Sequence, residues 1–167
     1  MTLDPFLTTT PVIQIHILSA IIGLTIGPFV IYRSQRDRVH KALGYVWVGA
    51  MAVLALSAFW IEAFWSPYYF GPLHLFAVLT LWSLWVGVRA AIRRDFDKHQ
   101  RIFRSLYMTG LIITGLLTFL PGRTINRMVF GDRPELGWAI IAGLLVWGLY
   151  RILAPRVRAS SRTSSDM

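Results

Sequence analysis

The sequence predicts an all-α transmembrane bundle of five helices, and three observations carry that prediction. Charged residues make up 15% of the 167-residue chain, against 55% apolar and aromatic residues. The apolar residues fall in runs that approach the roughly 20 positions needed to cross a bilayer. These runs are continuous rather than alternating, which fits helices and not the strands of a barrel. A chain of this length suits one compact bundle. The net charge of +9 would suggest nucleic acid binding in a soluble domain, but here the basic residues flank apolar runs and topology explains them. No nucleic acid partner is expected.

Residues 1–11 carry no Lys or Arg. The first span, 12–32, is too long and too poor in cleavage-site character for a removable signal peptide, so it is expected to be retained. A loop over 33–41 with four basic residues leads to the second span, 42–65. Trp65, Tyr68, Tyr69 and Phe70 follow, at a level where amphipathic rings favour the interface. The third span, 73–92, runs into a stretch over 89–104 with six basic residues, and the fourth, 105–120, is stopped by Pro121 and Gly122. The fifth, 136–154, has no histidine and is expected to cover one side of a four-helix core. Residues 155–167, basic and rich in serine, read as a disordered tail near anionic lipid. Fourteen basic residues fall on the side of the first loop and three, Arg123, Arg127 and Arg133, on the other. That asymmetry places the chain in the cytoplasmic membrane with its N-terminus outside and its C-terminus inside.

Within this frame the four histidines mark the candidate sites. His16 and His40 are 24 positions apart and His74 and His99 are 25 apart, each pair running from an apolar helix into a basic loop. With spans one and three both running inward, the two hairpins form parallel copies that a pseudo-twofold axis along the membrane normal would relate. Topology then sorts the histidines into an outer pair, His16 with His74, and an inner pair, His40 with His99. Ser19, Ala20, Gly23 and Gly27 share the helical face of His16, so that face must approach something closely. Gly23 and Gly27 also form a G-x-x-x-G, which helix packing explains more readily than a dedicated dimer motif. From His40 the same arithmetic gives Gly44, Trp47, Met51 and Glu62.

Two chemistries suit these residues. His16, His74 and Glu62 would supply two nitrogens and one oxygen to zinc or a similar divalent metal, leaving an open position for water, as a metal-dependent enzyme at the outer face requires. No H-E-x-x-H spacing supports that arrangement. Alternatively, imidazoles from facing helices ligate haem b from both sides, His16 with His74 and His40 with His99. Two such haems would carry electrons across the membrane from quinol or another redox partner. Basic residues beside His40 and His99 would neutralise haem propionates, and Trp47, Trp82 and Trp85 would line the sites. A non-catalytic scaffold or small transporter is the third reading. The absence of cysteine excludes disulfides, thiolate metal sites, iron–sulfur clusters and covalent c-type haem.

Over about residues 12–132 the chain resembles a bacterial family of predicted multi-pass membrane proteins of unknown function with four histidines in two hairpins. The marks are His16 in the first span, His40-Lys41-Ala42-Leu43-Gly44, His74 opening the third span, His99 followed by Arg101 and Arg104, and Pro121-Gly122-Arg123. Lys41, where the family has arginine, and Ile102-Phe103, where Trp-Met is frequent, depart from its pattern without removing a candidate ligand. The resemblance implies a membrane location. The arrangement is also similar to two-haem transmembrane cytochromes of the ascorbate-reducing type, which implies haem b between histidine pairs on neighbouring helices.

Overall fold

The structure, a computed structural model, describes residues 3–33, 35–61 and 71–163, and all regular elements among them are helical. Phe6–Gly115 forms one compact unit and holds all four histidines, while a second compact unit begins at Leu116. After a short α1 (Asp4–Leu7), three helices are long and apolar enough to cross a membrane: α2 (Pro11–Ile31), α3 (Arg38–Ala58) and α4 (Pro72–Ile92). The expected fourth span is helical but changes type along its length. α5 (Phe96–Ser105) passes into a π-helical segment, Leu106–Ile113, and then α6 (Thr114–Leu117). In the second unit α7 (Thr124–Phe130) precedes α8 (Leu136–Thr163), of which Leu136–Tyr150 is the shorter apolar stretch. α8 continues beyond 154 into the residues expected to form a tail. Glu62, Trp65, Tyr68, Tyr69 and Phe70 lie outside the described residues.

Proline and aspartate set the helix starts. Pro11 and Pro72 open α2 and α4 at the first turn, where a missing N–H costs nothing. Asp37 and Asp95 cap α3 and α5, accepting from the backbone N–H of His40 at 2.9 Å and of Lys98 at 3.1 Å. Because of these caps α3 begins four residues before the expected 42, and α5 begins at Phe96 instead of 105. Each capping aspartate lies 21 positions after the histidine of the preceding helix, so the repeat is in register at its caps. The second histidines are not: His40 is three residues beyond its cap and His99 four. One residue turns a helical side chain by about 100°. Between α4 and α5, Arg94 takes a left-handed conformation (φ 60°) usual for glycine, and Asp95 N–H closes back on Ala90 O at 2.9 Å.

α2 packs on α3, α3 on α4, and α4 on α5. The small-residue face of α2 admits this approach: a Cβ on Gly23 would stand 3.2 Å from Met51 Sδ, and one on Gly27 would overlap the Tyr107 ring. The close partners of Gly23 and Gly27 therefore lie within the same chain, as the packing reading expects. Trp47 and Met51 are fully buried at the centre with Leu84, Phe103, Leu106, Tyr107 and Leu111 around them. Trp47 Nε1–H donates to Gly23 O at 3.0 Å. Pro28, inside α2, has no N–H for the carbonyl four residues earlier. That carbonyl, Leu24 O, accepts instead from the Tyr107 hydroxyl at 3.2 Å.

Trp82 and Trp85 turn outward, 61% and 52% exposed, with their rings 5.1 Å apart. Of the three tryptophans expected beside the histidines, only Trp47 is in the core.

Candidate functional site

His40, in the first turn of α3, and His99, in the first turns of α5, meet at the basic end of the unit with ring centres 6.4 Å apart and planes at 67°. His99 Nδ1–H donates to Gly87 O of α4 at 3.0 Å; a carbonyl only accepts, so Nδ1 carries a proton and, in the neutral ring, Nε2 carries the lone pair. Phe103 packs against His99 at 4.7 Å and against Trp47 at 5.3 Å, both edge-on. Gly87 makes room for this ring, since a Cβ there would lie 2.5 Å from it. On the other side, His40 Nδ1 is buried and has no hydrogen-bond partner among the described residues. A buried ring nitrogen in that condition is uncommon in proteins.

Around the pair, Arg36 stacks its guanidinium 4.0 Å above the Phe96 ring and ties the first loop to α5. Arg33 grips Asp37 through Nε at 3.2 Å and Nη2 at 2.6 Å. These two bonds, with the His40 N–H, hold the Asp37 carboxyl at about 2, below its ordinary 3.8. A depressed carboxylate contributes stability in full above its unfolded value and loses it as pH falls through the folded one. Denaturation between pH 5 and pH 2 is therefore expected to show wild type losing stability more steeply than Asp37→Asn below about pH 4. Parallel profiles for the two proteins would refute this role.

The other two histidines border the opposite end of α3. His16, in the second turn of α2, approaches Ser57 in the last turn of α3, Nδ1 to Oγ 2.9 Å. Ser57 gives its hydroxyl proton to Leu54 O at 3.0 Å, so His16 Nδ1–H is the donor and, in the neutral ring, Nε2 carries the lone pair. His74 is at the third position of α4, its Nδ1 accepting from Gly71 N–H at 3.1 Å. Phe59, two residues beyond Ser57, lies 6.1 Å from the His74 ring. Both histidines thus sit by the same helix end but are held in opposite tautomers. Ligation through His74 Nε2 would require Nδ1 to take the proton and release the Gly71 cap. No group of three or more metal-ligating side chains occurs among the described residues, and Glu62 is not one of them.

Gly87, Phe103 and Ser57, which orient the imidazoles, went unnoticed in the sequence. Only the phase of Phe103, four residues after His99, would have suggested its contact.

A family described as predicted membrane proteins, DUF2306, matches residues 13–155. The chain belongs to this family. The DUF2306 match covers all four histidines and the three helices long and apolar enough to cross a membrane, apart from Pro11 and Val12 of α2. Neither a curated protein nor a solved structure matches the chain.

Proposed function

We propose that this DUF2306 protein binds haem b between His40 and His99 and carries electrons between a donor, such as a quinol, and an acceptor. The meeting of the two imidazoles at the basic end carries the reading. Imidazoles from two helices with ring centres 6.4 Å apart would hold such a group from two sides. His99 has the arrangement expected of a ligand, with Nδ1–H anchored on a backbone carbonyl and Nε2 available. His40 contributes a buried nitrogen that no group of the described residues satisfies. The donor set, two neutral imidazoles from different helices with aromatic packing and basic neighbours, suits haem iron. Haem would supply the one-electron chemistry; the chain's residues hold and orient it and exclude water. On this reading the chain lies in the cytoplasmic membrane with the basic end inside. A second haem between His16 and His74 would have to displace the Gly71–His74 bond, so the basic-end site is the primary one.

The deciding measurement is the absorption spectrum, oxidised and reduced, of protein purified from haem-sufficient cells. A Soret band is expected in wild type, and its loss in both His40→Ala and His99→Ala. His16→Ala is expected to keep it. A colourless preparation that takes up no added hemin refutes the proposal. Bound zinc that disappears with Glu62→Gln would instead favour a metal site formed by His16, Glu62 and His74.

A further inference from the structure

α3 and α4 leave between them an open groove of about 510 Å³ whose lining includes Val48, Ala52, Leu84 and Val88, with Arg89 as its one charged side chain. Arg89 stands three residues before the end of α4, close to the basic end. An arginine at such a position ordinarily extends its side chain toward the headgroups. Here the guanidinium lies back over the Trp85 ring, Cζ 5.2 Å from its centre, one turn deeper along the helix. Arg89 is exposed beside that ring at the edge of the groove, and no carboxylate of the described residues forms an ion pair with it. A guanidinium so placed calls for an anion, ideally one with two oxygens.

We propose that this groove is a binding site for an anionic phospholipid, one acyl chain lying along Val48, Ala52, Leu84 and Val88 and the phosphate on Arg89. The lining matches the chain in polarity, and the single cation matches the headgroup in sign. A second copy of the protein is a poor occupant, because α2, α3 and α4 contain no acidic residue to bring to that depth. The headgroup of an anionic lipid supplies a negative charge where α4 meets the basic end. This inference is independent of the haem reading.

The test uses the full chain in nanodiscs of phosphatidylcholine with a minor fraction of phosphatidylglycerol, followed by native mass spectrometry of the lipids retained on release. Wild type is expected to retain phosphatidylglycerol several-fold above its share in the disc. Arg89→Gln should bring the ratio to parity, and Ala52→Phe, which fills the groove without touching charge, should lower it too. Arg104→Gln is the matched control: Arg104 also stacks on an aromatic ring, Tyr32 at 5.3 Å, but is not among the residues lining this groove, and its enrichment should equal that of wild type. No enrichment in wild type, equal loss in Arg89→Gln and Arg104→Gln, or retention of a neutral lipid in place of phosphatidylglycerol would overturn the proposal. If Arg89→Gln fails to fold, Ala52→Phe against Arg104→Gln still decides it.

Discussion

Gly87→Leu is expected to separate His40 from His99 without altering either histidine. The glycine touches the ring of Phe103, Phe103 touches His99, and Gly87 O holds His99 Nδ1–H. A side chain at 87 must push the Phe103 ring away, and overpacking of this kind typically costs about 1–3 kcal/mol. The movement passes to His99, whose anchor and packing partner both shift. SDS-titrated unfolding should show the loss of stability, and, on the proposed haem reading, haem content should fall toward that of His99→Ala. Wild-type stability with full haem content would mean that Phe103 has room to move and that Gly87 serves neither purpose.

Trp47→Ala is expected to have the largest effect on the fold. Trp47 is 1% exposed, packs against Phe103 and donates to Gly23 O. Truncation of a buried tryptophan removes its contacts and leaves a cavity, at about 3–5 kcal/mol. Trp47→Phe keeps much of the volume and loses the hydrogen bond, worth about 0.5–1.5 kcal/mol. The two variants should differ clearly in the SDS fraction at half-unfolding. Equal midpoints would show that the hydrogen bond and not the packing matters.

Much of the helical organisation was legible because the bilayer imposes length on apolar runs. The first expected span differs from α2 by a single residue at either end, and the third differs from α4 by one residue at its start. The misplaced starts of α3 and α5 have a common cause. Arg38–Lys41 and Asp97–Lys98 are charged and read as loop, yet an aspartate ahead of each satisfies the first N–H groups and lets the helix begin among charges. Asp37 and Asp95, in register with the repeat, were the available signal.

The candidate site was legible as a pairing and not as geometry. Topology alone grouped His40 with His99, whereas the carbonyl that fixes the His99 proton comes from a different helix and leaves no trace in spacing. Apolar periodicity likewise did not separate the outward Trp82 and Trp85 from the inward Trp47, since lipid and core are both apolar and offer no contrast. Small residues were the better guide: Gly23 and Gly27 marked the inward face of α2 correctly.

The bond from Tyr107 to Leu24 O bears on how the chain is made. A newly inserted α2 carries a carbonyl bared by Pro28, and hydrocarbon offers nothing to satisfy it. The donor is encoded 83 positions downstream, so α2 completes its own backbone bonding only when the π-helical segment arrives. Membrane insertion and assembly are thereby coupled, and a chain truncated before Tyr107 would leave α2 as a substrate for membrane quality control.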